Sequence, residues 1–257
     1  MSSFFGKLRT QSTSTAMTTS NSADWTAYSS ATERMADQHP AYPEIIERGL
    51  STVRAWGLPP GSRIVDVGAG VGNFSVSLAR ALPQCTVIHL DYNAGMCNTA
   101  AAEAAQHCLA NHQVLCCDVH TANFLPGTIA GIVSVHGLHA MAEPPRVIAL
   151  MADWLSPGGR VFACDAGRIR SFVDWIRCIL GEKRKQQGWL ATSRLLWGAC
   201  QVARNRRIAR SQAEGRFWRH NQREFRSAFE RCGLQVEKWY TCGGSDIVVA
   251  CKPAPSV

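Results

Sequence analysis

The stretch VDVGAGVGNF, Val65 to Phe74, sets glycines at 68, 70 and 72 and an aspartate, Asp66, two places before the first of them. Glycine adopts positive φ freely and lets a backbone approach a ligand closely. A phosphate-binding P-loop would need a Gly-Lys-Ser/Thr run, and no lysine follows here. A dinucleotide fingerprint spaces its glycines G-x-G-x-x-G, whereas these are spaced two and two. Asp66 would repel a pyrophosphate but would suit a bound ammonium or sulfonium. Two more acids stand downstream, Asp91 in HLDYN and Asp118 in CCDV. A third group combines His136 and His139 of SVHGLHAM with Asp165 of FACDAGR. Each of these three can take a proton from a hydroxyl or an amine, so they are the candidate catalytic bases. Every one of these residues also has a plainer reading. Asp66 can cap a turn, Asp91 can cap a helix, Asp118 can be a surface acid, and a loop histidine can be structural.

The elements that must position these groups alternate. RIVDV, Arg63–Val67, is a short β-branched run that stops at the glycines, the pattern of a buried parallel strand. Asn73–Leu82 follows with helical spacing, Phe74, Leu78 and Ala81 falling on one side. CTVIHLD, HQVLCCDV, IAGIVSVHGLH and GGRVFACDAG read as strands two to five. The alanine-rich run from Ala94 and PRVIALMADWL read as helices between them. Strand–helix alternation of this kind predicts an α/β domain with a mostly parallel sheet. In such sheets ligands bind beyond the carboxyl ends of the strands, where all three groups of candidate residues fall.

Asp66-Val-Gly68-Ala-Gly70-Val-Gly72 resembles motif I of the class I S-adenosylmethionine-dependent methyltransferases. Three further motifs follow in order between Ser62 and Asp165. The resemblance implies that Asp91 receives the ribose hydroxyls and that Asp118 lies near the adenine amine. It places Tyr92 and Met96 along the adenine, with ordinary packing as the competing role. Ala69 within the turn and Val119 after Asp118 complete the implied cofactor-binding set. His136 is a cofactor contact as well as a candidate base. LSPGGRVFACD, Leu155–Asp165, resembles the family's proline-glycine turn into its fifth strand. The C-terminal stretch reads as a helix ended by Gly233 and two antiparallel strands, matching the family's strands six and seven. The implied fold is a Rossmann-like seven-stranded mostly parallel sheet flanked by helices, with an antiparallel C-terminal strand and a helical cap insertion. The implied cofactor is S-adenosylmethionine, and the implied reaction is methyl transfer to a small or lipid-like acceptor.

Around this core, residues 1–22 are Ser/Thr-rich without an acid, the composition of a disordered tail. Residues 23–61, with Trp25, Tyr28, His39 and Tyr42, resemble the family's lid, and Tyr28 is the residue expected over the cofactor's methionine end. Residues 62–167 form the cofactor-binding core, 168–220 an insertion and 221–257 the closing helix and strands. From Arg168 to Arg231 there are sixteen Lys and Arg against five Asp and Glu, although the whole chain carries only +8. Trp175, Trp189 and Trp197 interleave with this charge. A basic, Trp-rich segment fits a cap over the active site, an anionic membrane surface or an acidic substrate. Use of it by an RNA methyltransferase is the alternative, although no nucleic-acid module is visible. A cofactor-binding protein that transfers no methyl is the other. The eleven cysteines form no CxxC pair and no ligand-spaced cluster, so buried thiols and no metal are expected. No apolar run reaches the ~20 residues of a membrane span. No secretory segment opens the chain, so a cytoplasmic location is expected, with a mitochondrial leader as the minority reading. Nothing in the sequence bears on the oligomeric state.

Overall fold

The computed structural model describes residues 42–165, 218–242 and 245–253. Tyr28 and the rest of the segment before Tyr42, and the insertion up to residue 217, lie outside the described residues.

The described residues form five α-helices and seven strands, in chain order: α1 Tyr42–Arg54, β1 Arg63–Val67, α2 Asn73–Ala81, β2 Thr86–Asp91, α3 Ala94–Gln106, β3 His112–Cys116, β4 Ile129–Val135, α4 Pro144–Trp154, β5 Leu155–Asp165, α5 Gln222–Arg231, β6 Gln235–Cys242 and β7 Ser245–Cys251. The strands form one sheet in the order β3-β2-β1-β4-β5-β7-β6. β1 to β5 pair in parallel, and β7 runs antiparallel between β5 and β6. The chain winds outward from β1 to β3 and then returns to place β4 on the other side of β1. That reversal opens a crevice at the carboxyl ends of β1 and β4, the place where open α/β sheets bind ligands.

Strand periodicity assigns the two faces. Ile64, Val133 and Phe162 join one core with Ile45, Val53, Phe74 and Leu78. Their strand neighbours Val65, Ile132 and Val161 join the other, with Val147, Met151, Phe225 and Phe229. Both faces are covered, so the central strands read as continuous apolar runs rather than alternating ones. Each fully buried aliphatic or aromatic side chain contributes ~1.5–3 kcal/mol.

α1, the described part of the segment read as a lid, is built into the core. Ile45, Gly49 and Val53 recur every four residues on its buried face. A Cβ at Gly49 would stand 2.6 Å from Phe74 Cζ and 3.1 Å from Phe162 Cε1, so glycine permits this close approach. α5 opens with a capping box. Asn221 Oδ1 accepts from Glu224 N at 3.0 Å, and Glu224 Oε2 accepts from Asn221 N at 2.8 Å. Just before it, Trp218 and His220 pack on α5, the His220 ring stacking on Phe225 at 4.5 Å and 15°. Sequence boundaries put 218–220 in the insertion, but these residues are anchored to the core.

Two strands end sooner than their apolar runs suggest. β3 stops at Cys116 because Cys117 N turns to bond Asp91 O at 3.0 Å. β4 stops at Val135 because His136 enters the left-handed region at φ +56°, and Leu138–Ala140 then form a 3₁₀ turn. The nine described cysteines are all free thiols. Cys85, Cys97, Cys164 and Cys242 are buried as expected, whereas Cys108 and Cys116 are exposed. No described helix is long and apolar enough to cross a membrane.

Candidate active site

The β1–α2 turn is a bare cradle. Gly68, Gly70 and Gly72 have φ of +69°, +59° and +92°. Two of them also answer to close packing. A Cβ on Gly68 would collide with Met141 Cε, and one on Gly72 would stand 2.7 Å from Ala100 Cβ. At Gly70 nothing lies closer than Met96 Sδ at 4.0 Å, so backbone conformation alone demands glycine there. The amides of Gly68 and Ala69 both donate to Leu90 O, at 2.8 and 3.2 Å, tying the turn to the end of β2.

Asp91 closes that end. One carboxylate oxygen accepts from Gly70 N and the other from Asn93 N, each at 2.9 Å. It does not cap the following helix. Asn93 does so, accepting from Met96 N at 3.1 Å. The side chain is 8% exposed, and burial raises its carboxyl above the ordinary value while the two amides pull it down. Met96 lies buried against the turn and Tyr92 is half exposed beside Asp91. Asp118 caps a 3₁₀ turn at Val119–Thr121, accepting from His120 N at 2.8 Å. Val119 packs at the edge of the core.

Asp66 lies under the start of α2, 1% exposed. The nearby Ser75 amide favours its charged form, while Oδ2 has no hydrogen-bond partner. Burial first, and then the Asp91 charge, push its carboxyl up to about 8. Tyr42 of α1 lies near it, and its phenol is raised to about 12 chiefly by burial, with Asn73 pulling the other way. A second buried network supports the turn from below. Ser75 Oγ donates to Gly72 O at 3.3 Å and meets His89 Nδ1 and His112 Nε2 at 3.1 Å each. With the Ser75 proton given to Gly72, both rings must donate to its oxygen, and burial favours their neutral forms. Burial holds His89 down to about 4 and lowers His112 as well.

Across the crevice the ends of β4, β5 and β7 bring together the catalytic candidates. Asp165 Oδ2 accepts from His139 N at 2.6 Å and its Oδ1 is hydrogen-bonded to His139 Nδ1. His136 takes another course. Its Nε2 is 2.8 Å from Ser245 Oγ on β7, and its ring lies 5.9 Å from that of Tyr42. Asp246, paired with Asp165 across β5 and β7, accepts from Thr241 Oγ1 at 3.2 Å and stands 3.8 Å from His220 Nδ1. Gly137, between the two histidines, lies directly on the cradle: a Cβ there would be 3.1 Å from Val67 O and 3.2 Å from Gly68 O. The two halves of the site are therefore in contact.

Residues 64–159 match the profile of a methyltransferase domain. The chain thus carries a methyltransferase domain of the class I S-adenosylmethionine-dependent kind. This methyltransferase is similar to the ubiquinone/menaquinone biosynthesis C-methyltransferase of Burkholderia cenocepacia, 24% identical over 200 residues that cover 77% of each chain. Its fold resembles that of an S-adenosylmethionine-dependent methyltransferase from Aquifex aeolicus, with a TM-score of 0.59 and 16% identity over 88% of this chain and 98% of the other. It also resembles magnesium protoporphyrin IX methyltransferase from Synechocystis, solved with bound SAH. That TM-score is 0.57 at 17% identity, covering 85% and 84% of the two chains.

The methyltransferase's own residues fit the cofactor. The glycine turn gives room, Asp91 and Asn93 stand where a nucleoside would meet the end of β2, and the unpartnered oxygen of Asp66 answers to positive charge. The cofactor supplies a methyl group activated on a positively charged sulfur. Of the residues named from sequence, the structure gathers Asp66, Gly68, Ala69, Gly70, Gly72, Asp91 and Met96 on one side and His136, His139 and Asp165 on the other. Asn73, Asn93, Met141, His220, Ser245 and Asp246 were not singled out. Asn93 had a readable signal, an Asn before an alanine-rich helix. The others carry no local pattern and meet only in the folded chain.

Proposed function

We propose that the methyltransferase acts on a small, quinone-type or lipid-like acceptor. What carries this reading is the length of the likeness to the quinone-biosynthesis C-methyltransferase. The likeness covers 77% of this chain, well beyond the domain match at 64–159 that holds the cofactor cradle. More than half of the matched residues therefore lie outside the domain that holds the cradle. The chemistry suits the site. Methyl transfer to a nucleophile disperses positive charge, so the protein's task is to position, desolvate and, where required, deprotonate the acceptor. The cradle positions the donor, and the β4–β5–β7 edge offers proton-accepting groups.

The test is methyl transfer from radiolabelled S-adenosylmethionine to 1,4-naphthohydroquinone, short-chain prenylated hydroquinones and bulk RNA. Label in the hydroquinones, located by mass spectrometry, supports the reading. Label in RNA alone overturns it.

A further inference from the structure

We propose that His139, oriented by Asp165, takes the proton from a hydroxyl group of the methyl acceptor, so that the acceptor is a phenol, an enol or an alcohol. The proposal rests on the methyltransferase reading above and names what that acceptor must present.

The geometry comes first. Asp165 lies at the last position of β5, fully buried, with both carboxylate oxygens turned to one residue. It holds His139 by the main chain and by the ring together, which fixes both the loop and the ring plane. A second clamp acts on the far side of the peptide, where Trp218 N donates to His139 O at 2.9 Å. A ring so held cannot turn over without breaking a bond to a buried carboxylate, which costs several kcal/mol.

The proton positions follow. An ionised carboxylate only accepts, so neutral His139 carries its hydrogen on Nδ1 and its lone pair on Nε2. A proton can therefore be taken only by Nε2. Among the described residues, the groups facing this pair are His136 from the end of β4, His220 ahead of α5 and Asp246 on β7. Burial would raise Asp165, yet His139, His136 and His220 together bring it below the ordinary carboxylate range. Burial would lower His139, yet Asp165 raises it above the ordinary histidine value. Burial, opposed by Asp165 and Asp246, holds His220 below the ordinary histidine value, so at any one pH it carries less charge than His139. A base tuned upward from 6.5 is matched to the weakly acidic protons of phenols near neutral pH.

Location separates this pair from a purely structural ion pair. His139 is 23% exposed while Asp165 is sealed. Its loop, through Gly137 and Met141, lies against Gly68 of the cofactor turn. The exposed member of the pair thus belongs to the loop that touches the cofactor turn. In the step, the hydroxyl proton moves to Nε2. The oxygen's electrons form the bond to the methyl carbon, directly or through an adjacent ring carbon of the same phenolate. The methyl–sulfur bond breaks with its pair left on sulfur, and His139 then gives its proton to solvent. Asp165 is a positioning residue in this scheme and His139 the catalytic one.

The experiment has two arms, both with wild type, H139Q and D165N. Calorimetry with S-adenosylhomocysteine first reports the cofactor site, and failure of wild type to bind would overturn the cofactor reading rather than this one. In the first arm, ¹⁵N-histidine NMR follows the apo protein from pH 5 to 9. The signal lost in H139Q should titrate at Nε2, with Nδ1 protonated throughout and a midpoint above 6.5. D165N should move the midpoint downward. Titration at Nδ1, or a midpoint indifferent to D165N, overturns the proposal. In the second arm, S-adenosylmethionine is offered with catechol, 1,4-naphthohydroquinone, a primary alcohol, an aniline and a thiol. Transfer to the hydroxyl compounds, falling about 100-fold or more in kcat in H139Q at unchanged cofactor affinity, supports it. The wild-type rate should rise with pH through the NMR midpoint, and that rise should vanish in H139Q. Transfer confined to the aniline or thiol, no transfer to any hydroxyl, or an H139Q rate within threefold of wild type overturns it.

Discussion

The two halves of the crevice solve the same problem, keeping a carboxylate under a ligand site, in opposite ways. At the β1–β2 end Asp66 and Asp91 are buried with backbone amides for company and, among the described residues, no basic side chain acting on them. Burial raises both, and Asp66 reaches about 8. At the β4–β5–β7 end Asp165 is more deeply buried than Asp91, yet it lies below its ordinary value because three histidines surround it. The first half lacks a counter-charge and the second contains its own. That difference suits a donor that arrives with positive charge and an acceptor that arrives with a proton to lose. It also explains why the histidines differ. His89 and His112 sit under the first half on a serine and stay neutral, whereas His139 sits on a carboxylate and is raised.

The strongest way to break the comparison is to remove the internal counter-charge. Asp165→Ala leaves His139 without its carboxylate in a largely sealed site, so unfolding free energy near pH 6 should fall by about 3–5 kcal/mol, read by urea denaturation. A loss below about 1 kcal/mol would mean that the second half carries no charge pair worth the name.

The neutral histidines give the next effect, with the opposite sign to His139. His89 is held down to about 4 against 6.5 in an unfolded chain. Its contribution is complete above pH 6.5 and is lost as pH falls toward 4, on the order of 3 kcal/mol. His139, raised by Asp165, contributes fully below 6.5 and loses that contribution as pH rises through its folded value. Urea midpoints at pH 7, 5.5 and 4.5 should decline in wild type and decline less steeply in His89→Asn. Equal slopes in the two proteins would show that His89 does not titrate in this range.

The cradle predicts a graded pair. Gly68→Ala meets both a positive φ and Met141, and should cost about 2 kcal/mol, whereas Gly70→Ala meets the φ alone and should cost about 1 kcal/mol. Thermal melts of the two variants order them, and a reversed order would place the constraint in the wrong turn position.

The smallest effect concerns Asp66. A cationic ligand favours its ionised form, so binding near neutral pH must expel a proton from a group whose carboxyl lies at about 8. Affinity for S-adenosylmethionine should then rise with pH up to about 8, by at most roughly tenfold per unit, and level off above. Calorimetry in buffers of different ionisation heat measures both the slope and the released proton. Asp66→Asn should flatten the slope, and a wild-type affinity independent of pH would mean that the acid does not feel the ligand's charge.

The sequence alone determined the parts of this protein whose constraint is local. A glycine that must take positive φ, an apolar run that must be a covered strand and an Asn before a helix are each dictated by the residue and its neighbours. The cradle at 68–72, the strand ends at Asp91 and Asp165 and the alternation of strand and helix were therefore legible, and so was the family. The tertiary structure alone decided which acid keeps its charge. Asp66, Asp91 and Asp165 look alike in the sequence, each ending or nearly ending an apolar strand. Their states diverge because residues far along the chain, His139, His220 and Asp246, converge on Asp165, and none converges on Asp66. Tertiary packing likewise separated His136, bound to Ser245, from His139, bound to Asp165, three residues apart on one loop. Burial and through-space charge act over a few ångströms without regard to chain separation, so only the folded geometry could assign them.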